Sequence, residues 1–137
     1  MAENKTLTFA AMDPPYETER STTLLRLLDI AVRRGHNVNV FAYEGAVYLP
    51  FALQKAHPNP AHGRNAEEEN HMLTKDVIAA LMATAERGGT KLDWVNCGMC
   101  VDERGVGEFV AGTRRGSPAD FHAFIEASDG VLAIPTK

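Results

Sequence analysis

Apolar and polar positions fall into short blocks separated by Gly, Pro and Asp, and the blocks predict alternating strands and helices. Leu7–Met12 is an apolar run that stops at Asp13-Pro14-Pro15, as a buried strand feeding a loop would. Leu24, Leu27, Leu28 and Ala31 recur at helical spacing. Ser21 is the expected cap of that helix, Arg33 and Arg34 suit its last turn, and Gly35 suits its stop. Val38–Tyr43 is a second strand, and strand, helix, strand with short links is the unit of a parallel sheet.

Glu44–Lys55 reads equally as a strand extension or a short helix, and Ala56–Arg64, with two prolines and Gly63, reads as a loop. A second helix carries Ile78, Leu81, Met82 and Ala85 on one face and ends at Gly88-Gly89. Its start is either Thr74 or Asn65, where Glu68 would complete a capping-box-like pair. Leu92–Asn96 is the third strand and delivers the chain to Cys97. Gly105 and Gly107 mark an irregular passage, and Phe109–Ala111 is a candidate edge strand. Ser117-Pro118-Ala119-Asp120 is a strong helix start: Ser caps, Pro fits the first helical position, and Asp faces the positive end of the dipole. That helix runs to about Ser128, and Val131–Ile134 is the last strand. The expected fold is a single α/β domain over residues 1–137, three layers α/β/α around a mostly parallel sheet of four to five strands.

Composition narrows the functional classes. A 45% hydrophobic, 23% charged chain of 137 residues has the balance of a globular domain with a proper core. A net charge of -4 disfavours direct nucleic-acid binding, and the doublets Arg33–Arg34 and Arg114–Arg115 read as solvated helix-end and loop charges. No apolar run is long enough to span a bilayer, and the polar start Met1–Thr6 is unlike a secretory signal, so a cytoplasmic, reducing setting is expected.

Two cysteines, Cys97 and Cys100, stand at CxxC spacing beside Gly98. In an open parallel sheet, sites form at the carboxyl ends of strands, and Cys97 lies just past the third one. Tyr16 leaves the same end of the first strand, and Tyr43 the same end of the second. A thiolate is the reactive form, so a working cysteine needs surroundings that favour the anion. Gly98 lets backbone N–H groups turn toward sulfur, a helical turn starting near Cys97 adds its dipole, and Arg104 is expected to fold back over Cys97. Asp102 and Glu103 should then face solvent or pair with Arg104. Against this stands the ordinary fate of a free cysteine at a strand end, which is inert packing. Structural zinc would want a second CxxC or paired histidines; His57 and His62 sit in a proline-rich loop without partners, so no metal is expected. The pair also comes too late in the chain for a thioredoxin arrangement.

The segment Cys97-Gly-Met-Cys100-Val-Asp102-Glu-Arg104-Gly105-Val106 resembles the active-cysteine segment of the DsrE/TusD sulfur-relay family. There a cysteine ends a strand and is followed, at this spacing, by Arg-Gly and an aliphatic residue. Pro14-Pro15-Tyr16-Glu17-Thr18 is similar to that family's first loop. Gly35-His36, Val40-Phe41-Ala42-Tyr43 and Val47-Tyr48 resemble its second βα region, and Ala127-Ser128-Asp129-Gly130-Val131 its closing helix and strand. Two departures stand out: Glu44-Gly45 falls one position early, and the His57–His71 stretch is longer than in TusD-like members.

The resemblance implies a sulfur carrier that accepts sulfane sulfur as a persulfide on Cys97 and passes it on, with no organic cofactor. Cys100 matches the members that carry a CxxC version. It would then either attack the Cys97 persulfide, releasing sulfide and leaving a disulfide, or take over the sulfur. Implied partners are TusA-like or rhodanese-like proteins, and implied assemblies are homotrimers, hexamers or complexes with paralogous subunits. The apolar stretch Ala46–Leu53 is an expected contact surface, unless it completes the core. The alternative function is a non-catalytic, redox-responsive interaction subunit that uses a Cys97–Cys100 disulfide.

Overall fold

The computed structural model describes residues 3–135. Five strands form one sheet: β1 (Thr6–Ala11), β2 (Asn37–Ala42), β3 (Leu92–Cys97), β4 (Arg114–Gly116) and β5 (Gly130–Ile134). Their order is β4-β3-β2-β1-β5, and every pairing is parallel. The helices are α1 (Arg20–Arg33), α2 (Thr74–Arg87), α3 (Gly98–Arg104) and α4 (Pro118–Ala127).

Strand alternation divides the core between two faces. Phe9, Val38, Val40 and Trp94 pack with Leu24, Leu28, Ile78 and Leu81 of α1 and α2. Phe41, Val95 and Cys97 point the other way, against Phe124 and Phe121 of α4. Helices thus lie on both faces of the sheet, as expected from strands buried on both sides. Leu28 and Trp94 are fully buried, and truncating such a leucine typically costs about 2–5 kcal/mol.

Several local expectations are corrected, and several open alternatives are decided. Ser21 does not cap α1; it is buried inside the helix, while the Arg20 N–H donates to Thr18 Oγ1 at 3.1 Å. Asn65 and Glu68 do make the reciprocal pair, with Glu68 N–H to Asn65 Oδ1 at 2.9 Å and Asn65 Nδ2 to Glu68 Oε1 at 3.0 Å. They close only a turn, and α2 starts at Thr74. Glu44–Tyr48 is a short 3₁₀ helix rather than a strand. The predicted edge strand Phe109–Ala111 gives way to Arg114–Gly116; Phe109 makes an isolated antiparallel bridge with Phe51. The helical turn near Cys97 is α3, seven residues long. Finally, Ala46, Val47, Leu49 and Pro50 are fully buried, so that stretch completes the core and leaves Leu53 exposed beside it.

Candidate active site

β3 is buried except at Asp93 and ends at Cys97, which is both its last residue and the residue immediately before α3, with no side-chain bond to the helix. Extended φ/ψ of -61° and 116° at Cys97 turn the chain directly into the helix, so Gly98, Met99 and Cys100 form its first turn. The residue before a helix and the third residue inside it bring their side chains together. Here those residues are Cys97 and Cys100, both free thiols, and they lie in one side-chain cluster. Cys97 is 7% exposed, whereas Cys100 is half-buried.

Cys100 also receives the Glu44 N–H at 3.2 Å. Glu44 has φ +53, a left-handed conformation that a residue with a Cβ adopts only when its surroundings hold it there. Behind it, a Cβ on Gly45 would lie 2.9 Å from the Pro14 ring, so the first loop fixes this turn. The Cys100 thiol is pushed up from its usual range by burial and by Cys97; the Glu44 N–H and the Arg104 guanidinium act in the opposite direction.

Arg104 does not fold over Cys97 as expected. Its guanidinium reaches the Cys100 carbonyl at 3.3 Å, Glu44 at 3.4 Å and Glu103 at 3.8 Å, so its charge faces Cys100. The cation beside Cys97 is Arg115. Its guanidinium lies so close over Gly98 that a Cβ there would meet Nε at 2.6 Å, and it grips Asp102 through bonds of 2.8 and 2.7 Å. Asp102 therefore pairs with Arg115, not Arg104, and this holds its carboxyl below the usual range. Within the doublet, Arg114 has a different task, joining Asp93 of β3 to Asp120 of α4.

Gly98 is thus explained by close approach. The cleft beside it, of about 610 Å³, is lined by Cys97, Gly98, Arg115 and the start of α4 among others. Ser117 and Asp120 close a full capping box at that start, so its N–H groups are already occupied. Met99, at the cleft, is 70% exposed.

Tyr43 stands at the site: its ring lies 5.5 Å from Phe41 in the cluster that holds both cysteines, and burial, then Glu44, pushes its hydroxyl up. Tyr16 does not. It stacks on His71 at 4.7 Å, and its hydroxyl accepts the Thr74 N–H at 3.0 Å, capping α2 from outside. His57 lies 6.1 Å from the Tyr16 ring, and none of these three lines the Cys97 cleft. Sequence reasoning missed Arg115 and Glu44. The available signals were a glycine directly after Cys97, which admits a large neighbour, and the displaced Glu44-Gly45 pair.

The protein is thus a small α/β domain with a parallel five-stranded sheet and two free thiols at the end of its third strand. The family profile agrees: the DsrE/DsrF-like family matches residues 5–134, and the chain belongs to it. It is 30% identical over 124 residues to the uncharacterized protein MJ0989 of Methanocaldococcus jannaschii, covering 89% of this chain and 93% of that one. The fold is similar to the crystal structure of the ychN protein from E. coli, with TM-score 0.74, 17% identity, and coverage of 94% and 98%. A protein from Bacteroides thetaiotaomicron, BT1422, is more distant at TM-score 0.58, 12% identity and 95% coverage of each chain. Among the described residues no helix is long and apolar enough to cross a membrane.

Proposed function

We propose that this chain is a cytoplasmic sulfur carrier that accepts sulfane sulfur as a persulfide on Cys97 and hands it to a partner protein. The Cys97 thiolate attacks the outer sulfur of a donor persulfide; a new S–S bond forms, and the donor leaves as its thiolate. Family membership supports a role related to sulfur relay. The observation that carries the reading is Cys97 itself, at a strand end, directly before a helix and opening on a cleft that holds the Arg115 guanidinium. A guanidinium at this cleft is suited to hold the anionic outer sulfur of a persulfide. Donors and acceptors would be persulfide-bearing proteins of the TusA-like or rhodanese-like kind, working with a homotrimer, hexamer or paralogous complex.

The test is mass spectrometry after incubation with inorganic polysulfide. Cys97→Ser should lose sulfur loading, and Cys100→Ser should retain a sulfur adduct on Cys97. A second reading, a redox-responsive interaction subunit, draws on the two free thiols lying in one cluster. It predicts only loss of two hydrogens in the wild type and no sulfur adduct on Cys100→Ser.

A further inference from the structure

We infer that Cys100 is a resolving thiol, positioned by the Glu44 N–H and the Arg104 guanidinium, which expels the carried sulfur from Cys97 as hydrosulfide. This rests on the persulfide reading and adds a fate for the sulfur. Three features single Cys100 out. Its place three residues after Cys97, in the first turn of α3, brings its side chain into the same cluster as that of Cys97. Its sulfur accepts the N–H of a residue held in a strained left-handed conformation, a bond made to an electron-rich sulfur. And the cation nearest to it, Arg104, is anchored on both sides: through its own carbonyl to the Tyr48 hydroxyl at 3.4 Å, and through its guanidinium to Glu44. The two thiols are thus served by separate cations, Arg115 at Cys97 and Arg104 at Cys100, as a two-step device requires.

The step balances without an outside oxidant. Cys100 sulfur attacks the inner sulfur of the Cys97 persulfide. The Cys97–Cys100 bond forms as the bond to the outer sulfur breaks. The outer sulfur leaves with the bonding pair and takes the Cys100 proton as HS⁻. The cysteine pair loses two electrons and the sulfane sulfur gains them. A dithiol reductant then returns the pair to thiols. Because burial pushes the Cys100 thiol up, the step should quicken as pH rises into the alkaline range, where its thiolate accumulates.

The full chain is reduced, desalted, given one equivalent of sulfane sulfur as inorganic polysulfide, and followed by sulfide assay and intact mass. Wild type should release one hydrosulfide per chain more than Cys100→Ser, whose only sulfide is the leaving group of the polysulfide, and end two hydrogens lighter; Cys100→Ser should keep its sulfur atom. Arg104→Ala should slow hydrosulfide release roughly tenfold at neutral pH and move its pH profile alkaline, with Arg104→Lys restoring most of the rate. If Cys100→Ser takes up no sulfur, the carrier reading itself falls. If it loads normally but wild type keeps its adduct just as long and releases no more hydrosulfide than Cys100→Ser, the resolving role falls alone. An unshifted pH profile in Arg104→Ala removes Arg104 from the step.

Discussion

The Arg115 guanidinium occupies the space where a side chain on Gly98 would begin, with three of its atoms between 2.6 and 2.8 Å from a Cβ placed there. Gly98 follows Cys97 directly, so its missing side chain is what lets a fixed positive charge reach the strand-end thiol. Gly98→Ala should therefore fold, since alanine is the better helix former by up to about 1 kcal/mol, yet push Arg115 outward. Both Gly98→Ala and Arg115→Ala should slow alkylation of Cys97, measured in a Cys100→Ser background. A slowing of roughly fivefold is expected for losing one partly screened charge. Unchanged rates in both variants would mean that Arg115 does nothing for the thiol.

Asp102 is the other half of that arrangement. Its carboxyl is held below the usual range first by the hydrogen bonds from Arg115. A carboxyl lowered on folding adds stability above its unfolded value and loses it as pH falls through the folded one. The pair is well exposed, at 56% and 65%, so its weight in stability is small. An NMR titration should place the Asp102 midpoint below that of an ordinary aspartate, and Arg115→Ala should raise it. Asp120, lowered chiefly by the Ser117 N–H, serves as the control that Arg115→Ala leaves in place. Asp102→Asn should leave Tm nearly unchanged and speed Cys97 alkylation, because Arg115 loses its counter-ion. Slower alkylation would show that Asp102 is needed to aim the guanidinium.

The sheet was legible where one local signal sufficed. β1, β2 and β3 are apolar runs between breakers, and α4 announces itself through Ser117, Pro118 and Asp120, which do form the cap. The rest depends on contacts between segments distant in sequence. β4 is Arg-Arg-Gly, with no strand propensity; it pairs with β3 because Arg114 bridges to Asp93, while Gly116 leaves no room for a Cβ beside Val95 and Asp120. The turn at Glu44 exists because Gly45 packs on Pro14, a relation between two loops that no window of sequence contains. For the same reason the cysteines were readable as a pair, but the owner of each cation was not. Arg104 is near Cys97 in sequence, and Arg115 is near it only once β4 has joined the sheet.

The expected contact surface moves with the fold. With Ala46–Pro50 inside the core, the apolar side chains left outside include Val131 and Leu132 of β5, 48% and 44% exposed, and Ile125 of α4 at 41%. β5 lies at one edge of the sheet, paired to β1 alone, and an exposed apolar edge strand invites a further chain. Light scattering at micromolar concentration should give a defined oligomer for the wild type and a smaller species for Leu132→Lys. A wild-type monomer would remove the oligomer, and an unchanged Leu132→Lys assembly would move the contact elsewhere.

Tyr16 offers a clean separation of fold from chemistry. Its place in the first loop made it a candidate beside the cysteines, but its hydroxyl accepts the first N–H of α2, and its ring rests on His71. Its φ of +69 is a strained conformation for a tyrosine, held by the contacts at both ends of the side chain. Tyr16→Phe keeps the ring and removes only the acceptor, leaving the Thr74 N–H without its partner. The expected cost is about 1 kcal/mol, seen as a lower midpoint in urea with an unchanged slope. Sulfur loading and Cys97 alkylation should stay at wild-type levels, because Tyr16 does not line the Cys97 cleft. A variant of full stability that loads sulfur slowly would reverse this assignment and bring the tyrosine hydroxyl back to the site.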